Sequence, residues 1–193
     1  MDRVRIIPET YDKLGVINNK GTGDLNMATI RKAGPEDQQF LREMLYESIH
    51  LPPGADKPPF SIIDIPELLK YTDDWMKETD CGVIAELDGN KIGAAWTRQF
   101  KDAASGGYGF IDPAVPELVF AVRPDYRGRG IGTTLMEHLF TELNAIGFKK
   151  LSLSVNKKNR AVNLYKRLGF EKVKEQETDY LMIKSLANPP CFR

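Results

Sequence analysis

The sequence is poor in the residues that staple or metallate small folds. It holds two cysteines, Cys81 and Cys191, and two histidines, His50 and His138. With no Cys-x-x-Cys pair and the histidines far apart, neither a structural zinc site nor a disulfide framework is expected. Net charge is missing as well, since 27 Lys and Arg balance 27 Asp and Glu. That balance argues against a broadly basic nucleic-acid binder and against a polyacidic, disordered chain. Apolar runs such as Leu118 to Val122 fall far short of the roughly 20 residues a membrane-spanning helix needs, and the first residues lack a secretory apolar core. The expectation is a soluble cytoplasmic protein with neither nucleic-acid nor membrane partners.

What the chain does have is apolar material, 41% of 193 residues, enough for one substantial core. Residues 1 to 26 show no sustained apolar period and read as an extension outside that core, dispensable for folding or upstream of a natural start at Met27. The core domain is placed at residues 27 to 186, with 187 to 193 as a tail. From Ala28 to Lys32 the pattern is a short strand, and Gly34-Pro35-Glu36-Asp37 opens a helix with Phe40, Leu41, Met44, Leu45 and Ser48 on one face. Ile65, Leu68, Leu69, Thr72 and Trp75 predict a second helix, with Pro66 in its first turn.

Gly82 to Leu87 and Lys91 to Phe100 then form a hairpin around Asp88-Gly89-Asn90, because the Asp-Gly pair supplies the backbone angles of a tight turn. Glu117 to Val122 is apolar after its first residue, as suits a central strand covered on both faces. A helix follows with Ile131, Leu135, Leu139, Leu143 and Ile146 in its stripe and Gly147 at its end. Leu151 to Val155 is a strand, Ala161, Leu164, Tyr165 and Leu168 mark a shorter helix closed by Gly169, and Tyr180 to Lys184 ends the domain as a strand. The order is that of an α/β fold.

Chemistry concentrates in the turn Arg123-Pro-Asp-Tyr-Arg127-Gly-Arg-Gly130-Ile-Gly132, which leaves the buried strand and enters a helix. The first amides of that helix have no intrahelical acceptor and can face an anion, while the glycines let a ligand approach closely. Glycines at 128, 130 and 132 serve a tight turn equally well, so the turn alone does not decide. Charge adds weight. From Arg123 to Arg167 ten basic residues face three acidic ones, a net of +7, and the rest of the chain carries −7. A small polyanionic ligand fits that segment, a solvated surface being the alternative. No lysine follows the last glycine, which excludes a nucleoside-triphosphate P-loop. Thr133 stands where a dinucleotide fingerprint needs its third glycine, and no acid lies about 20 residues on.

These residues resemble the GNAT superfamily of N-acetyltransferases. Arg127-Gly-Arg-Gly130-Ile-Gly132 fits the family's acyl-CoA motif Arg/Gln-x-x-Gly-x-Gly/Ala. Leu151 to Phe170 looks like its later motif of strand, Asn159-x-Ala161, Leu164-Tyr165 and Gly169-Phe170, with Arg160 where many relatives place Pro. The resemblance covers about four-fifths of the chain. It implies an α/β fold with a GNAT-like mixed central sheet, splayed fourth and fifth strands, and helices on both faces. It also implies acetyl-CoA as co-substrate. The amides of Arg127, Gly128, Arg129, Gly130, Ile131, Gly132 and Thr133 would cradle its pyrophosphate, and Phe120, Ala121 and Val122 would pair with the pantetheine arm. Asn159 would contact the cofactor from the later helix.

The implied reaction is direct acetyl transfer to a primary amine in a ternary complex. Aminolysis of a thioester needs a neutral amine, a stabilised oxyanion and a proton for the departing thiolate. Tyr165 is placed by the resemblance beside the thiolate as proton donor; from the residues alone it reads as a core tyrosine on an apolar stripe. No cysteine has a patterned histidine partner, so Cys81 and Cys191 read as inert thiols. Glu117, entering a buried strand after Pro116, is the candidate base, directly or through water, against the alternative of a solvated strand-end acid. His50 is a candidate for the acceptor wall or a helix cap, and His138 a boundary residue.

Loops 51 to 66 and 101 to 116 are expected to build the acceptor pocket. Trp75, Trp96, Phe100, Tyr108 and Phe110 are candidates to line it, with core packing the more frequent role for each. A non-catalytic acyl-CoA sensor or interaction module is the competing function. A homodimer is compatible with the sequence, though no pattern specifies one.

Overall fold

The computed structural model describes residues 28–186 apart from Pro53. The extension at 1–26, the tail from 187 onward and Cys191 lie outside the described residues. Seven strands form one mixed sheet: β1 (Thr29–Lys32), β2 (Cys81–Leu87), β3 (Asn90–Arg98), β4 (Glu117–Val122), β5 (Lys150–Asn156), β6 (Glu171–Glu175) and β7 (Asp179–Ser185), in the order β1-β2-β3-β4-β5-β7-β6. β4 is therefore the middle strand. All neighbours are antiparallel except β4 and β5.

Alternation along the strands sends side chains into two cores. On one face α3 (Ile131–Ala145) and α4 (Ala161–Arg167) cover Val83, Ala85, Ala95, Leu118 and Val122; on the other α1 (Gln38–Ser48) covers Ile84, Ala94, Trp96, Val119 and Ala121. The β2–β3 turn is the expected one, with Asp88 and Gly89 both at positive φ. Ile92 is an extra residue in β3, because Ala85 pairs with Gly93 while Glu86 pairs with Lys91.

Asp37 locks the first strand to the first helix. Fully enclosed, it accepts from both terminal nitrogens of Arg31, from Lys91 and from the Gly34 N–H. Burial opposes its charge, but these donors outweigh burial and hold the carboxyl well below the usual carboxylate range.

Three expectations need correction. The second helix is one turn, α2 (Pro66–Leu69), preceded by a 3₁₀ segment at Phe60–Asp64. Asp74 and Met76 take positive φ, which a helix does not contain, and Arg98 holds the following turns by donating to the Asp73 and Asp74 carbonyls and pairing with Asp80 at 2.8 Å. Thr72 and Trp75 are buried nonetheless. Ile146 lies past the end of α3 and is 55% exposed, while Met136, outside the expected stripe, is buried. β6 is a strand beyond those the sequence pattern predicts, because every residue of Glu171–Glu175 is exposed and charge replaces apolar alternation on this edge.

Candidate active site

β4 and β5 share a single register pair, Glu117 with Ser152. There the Ser152 N–H donates to Pro116 O at 3.0 Å, and the Ser152 hydroxyl donates to the same oxygen. Beyond that point the strands part. The opening is a cleft of about 1570 Å³ with Phe120, Ala121 and Val122 on one bank and Leu153, Ser154 and Val155 on the other. Splay thus leaves one backbone edge of β4 facing the cleft, where an extended amide-bearing ligand can take the place of a strand.

At the far end of β4 stands the glycine turn. Gly128 and Gly130 have φ of 77° and 83°, a conformation that side chains disfavour, and Gly130 caps α3. The N–H groups of Gly128, Arg129, Gly130, Ile131 and Gly132 meet no acceptor among the described residues. Those flanking them are engaged: Arg127 N–H donates to Pro124 O, and Thr133 N–H donates to Gly130 O. A Cβ built on Gly128 or Gly130 would touch nothing within 4 Å, so the turn is uncrowded at both glycines. The Arg127 side chain braces the turn, donating to Val122 O at 2.8 Å and pairing with Glu47, while Arg129 donates to Asp125 O. Free amides at the start of a 15-residue helix can receive an anion. Asn159 also lines the cleft; its Oδ1 accepts from Ala161 N–H at the start of α4, leaving its amide NH₂ without a partner.

Tyr165 sits in α4 with only 7% of its surface exposed. Its place is set by the helix end. Phe170 N–H donates to Tyr165 O and Gly169 N–H to Lys166 O, with Gly169 at φ 83°, which is a Schellman closure. The apolar contact that accompanies such a closure is here Phe170 against Tyr165, with ring centroids 5.5 Å apart, and Phe120 meets the same ring at 6.5 Å. The spacing Tyr165-x-x-x-Gly169-Phe170 is therefore a device for fixing the phenol. Among the described residues the one fully buried side-chain polar atom without a partner is Asn144 Oδ1, so the Tyr165 hydroxyl, which makes no hydrogen bond, opens to the cleft. Burial raises its pKa above the usual phenol value and keeps the proton on oxygen.

Glu117, 1% exposed, occupies the point where the strands meet. Its Oε1 accepts from Gly107 N–H at 2.7 Å, and its Oε2 accepts from the Tyr71 hydroxyl at 2.8 Å and from Gly109 N–H at 2.9 Å. The Tyr71 oxygen in turn accepts from Tyr108 N–H at 2.8 Å. Three successive amides of the loop, 107 to 109, are thus gathered by one carboxylate and one phenol. The fit is close, since a Cβ on Gly107 would fall 1.8 Å from the Tyr71 oxygen. Burial pushes the Glu117 pKa up, and the hydrogen bonds from Tyr71, Gly107 and Gly109 offset part of that rise. Tyr71 is pushed up as well, by burial and by the neighbouring charge, and remains a donor. Sequence reasoning missed Tyr71, Gly107 and Gly109. Three glycines in four positions, ten residues before the strand-end glutamate, were the available signal.

His50, Tyr71 and Tyr108 line the cleft. Trp75 and Trp96 do not: both indoles are buried in the α1-side core, donating to Gly34 O and Tyr71 O, which corrects their candidacy for the acceptor wall. Phe100 packs edge-on against Tyr71, and Phe110 is half-buried beside Gly106. His138 is a half-buried residue of α3, its Nδ1 2.8 Å from Thr134 O. Burial pushes the Cys81 thiol up to about 12, as suits an inert thiol. No cluster of metal-binding type occurs among the described residues, and no helix among them is long and apolar enough to cross a membrane.

A splayed parallel strand pair, with an anion cradle at one end and a buried carboxylate at the other, defines the two-ended cleft of an acyl-CoA-dependent transferase. The acetyltransferase (GNAT) family model matches residues 43–170, more than half of the chain, and the chain belongs to that family. It is 35% identical over 95 residues to Acetyltransferase SG1711 of Sodalis glossinidius, covering 49% of this chain and 59% of that protein. Over 51 residues it is 47% identical to the [ribosomal protein bS18]-alanine N-acetyltransferase of Escherichia coli K12, covering 26% and 34% respectively. The matched stretches thus span less than two thirds of these relatives' length. The crystal structure of PaiA N-acetyltransferase from Thermoplasma acidophilum in complex with coenzyme A superposes with a TM-score of 0.61 at 20% identity, covering 82% of this chain and 98% of that one. It shows the same fold.

Proposed function

We propose that the chain transfers an acetyl group from acetyl-CoA to a primary amine by direct attack within a ternary complex. The observation that carries this reading is the Tyr165 hydroxyl, protonated, without a partner and open to the cleft between the parted strands. The free amides from Gly128 to Gly132 would hold the pyrophosphate, the exposed edge at Phe120, Ala121 and Val122 would hold the pantetheine arm, and the Asn159 amide would reach the cofactor from α4. Acetyl-CoA supplies an acyl group on a good leaving sulfur.

The chain's own residues handle the protons. Two carboxylate oxygens offer about four acceptor positions, and three of those on Glu117 are taken. The remaining one can receive the amine's proton through a water, and a raised pKa brings that basicity toward neutral pH. Tyr165 gives its proton to the departing sulfur. One N–C bond forms, one C–S bond breaks, and solvent exchange resets both residues.

An acetyl-CoA titration tests the donor half. At about 100 times its dissociation constant the ligand should add about 2.7 kcal/mol of stability. An unchanged melting temperature in millimolar acetyl-CoA, with no heat in calorimetry, would remove the assignment. Turnover with an amine panel then separates an enzyme from an acyl-CoA sensor.

A further inference from the structure

The acceptor end of the cleft has a chemical character of its own. Its floor is Glu117, and its walls are largely apolar, Ile49, Leu51, Ile62, Ile65 and Leu68, with His50 and Tyr108 as their polar members. Two of these stay open at the mouth, Ile65 at 38% and Tyr108 at 59% exposure, an apolar rim that water alone does not favour. The cations nearby are each held by a neighbour in the fold. Lys57 pairs with Glu47 at 2.6 Å and lies over the Tyr46 ring, Arg127 pairs with the same Glu47, and Lys70 donates to the carbonyls of Ser105 and Gly106. The unpaired cations of the cleft, Lys158, Arg160 and Arg167, sit on the opposite bank, at the end of β5 and on α4.

Resting on the N-acetyltransferase reading, we propose that the acceptor is a primary amine on an uncharged apolar skeleton, an alkylamine or arylalkylamine. Such a molecule brings one positive group to the floor and apolar carbon to the walls. An amino acid would set its carboxylate beside that of Glu117, where the Lys70 ammonium is already held by the Ser105 and Gly106 carbonyls. A polyamine would bury its second ammonium against isoleucine and leucine. The first sets like charges side by side and the second sets a charge against apolar carbon, which discriminates far more strongly than a missing methylene does.

The test is a panel of phenethylamine, hexylamine, phenylalanine, spermidine and an alanine-initiated peptide, assayed with the full chain at saturating acetyl-CoA by release of free thiol. Phenethylamine and hexylamine should exceed phenylalanine and spermidine in kcat/KM by at least about 100-fold. Leu68→Lys, which puts a free cation in the wall, should narrow the gap between phenethylamine and phenylalanine by tenfold or more, with the acetyl-CoA thermal shift confirming that the variant folds. Equal or better turnover of phenylalanine, spermidine or the peptide overturns the inference while leaving the transferase reading intact. So does an acetyl-CoA-binding protein that acetylates none of the panel. Failure to bind acetyl-CoA overturns the transferase reading itself, and this inference with it.

Discussion

Removing a single oxygen atom tests whether Glu117 is positioned for proton transfer or serves only to hold a loop. Tyr71→Phe deletes the hydroxyl that donates to Glu117 Oε2 and accepts from Tyr108 N–H, while the ring keeps its edge contact with Phe100. A hydrogen bond to a charged group contributes about 1.5–3 kcal/mol, and an orphaned amide adds a penalty when water is excluded. The Tyr108 N–H bond to Tyr71 is only part-buried, so water can replace the lost oxygen, and Glu117 keeps two of its three donors. The expected loss is therefore near the lower end, about 1.5–2 kcal/mol in a urea melt. The kinetic sign is distinct. Tyr71 stabilises the ionised form of Glu117, so its removal raises the carboxyl pKa further. A base must be ionised to act, hence the acid limb of kcat/KM against pH should move to higher pH, with acetyl-CoA affinity unchanged. An acid limb that stays in place while stability falls as expected would make the Tyr71–Glu117 pair a structural clamp and remove Glu117 as the base.

Three further substitutions probe the rest of the molecule. Tyr165→Phe keeps both ring contacts and should lower the chemical step by about 100- to 10,000-fold with little change in acetyl-CoA affinity, measured by single turnover so that product release does not mask it; a rate within about twofold of the parent would exclude Tyr165 as the acid. Gly130→Val should abolish the acetyl-CoA thermal shift at a folding cost of about 1–2 kcal/mol, because the left-handed backbone is strained by a side chain although nothing crowds it. For Asp37, whose carboxyl is held below its ordinary 3.8, the stabilisation is present above that value and lost as pH falls through the lowered one. Asp37→Asn should accordingly lose about 2 kcal/mol at neutral pH and flatten the acid-side decline below about pH 4, read from urea melts; an unchanged acid slope would show that other carboxylates govern it.

Most of the fold was legible because its signals are local. The Asp88-Gly89 turn, the apolar run of β4 and the stripe on α3 each follow from residues within one element. Legibility failed where distant partners overrule the local pattern. The apolar period from Ile65 to Trp75 suits a helix, yet Arg98, contributed by β3, captures the Asp73 and Asp74 carbonyls and pairs with Asp80, and the chain turns instead. At β6 the ladder with β7 forms a strand from a sequence whose solvated side chains carry no alternation.

The site divides along the same line. Every element of the donor end is close in sequence: the free amides of 128 to 132 belong to one strand-to-helix turn, and the phenol of Tyr165 is fixed by a closure six residues long. A motif can carry such a site because backbone geometry alone builds it. The acceptor end is assembled from residues that meet only in the fold. Tyr71 reaches Glu117 across 46 positions, and Gly107 and Gly109 arrive from a loop that the sequence assigns to the acceptor pocket without singling out these residues. That division has a functional logic. The relatives named above are all acetyltransferases, so a cradle for a shared donor can be a fixed local motif. The acceptor differs, and a wall made of loops tied by side-chain hydrogen bonds can change without disturbing the sheet. Acceptor choice in this chain is accordingly to be sought at Tyr71, Tyr108 and the apolar residues from Ile49 to Leu68, none of which the donor motif constrains.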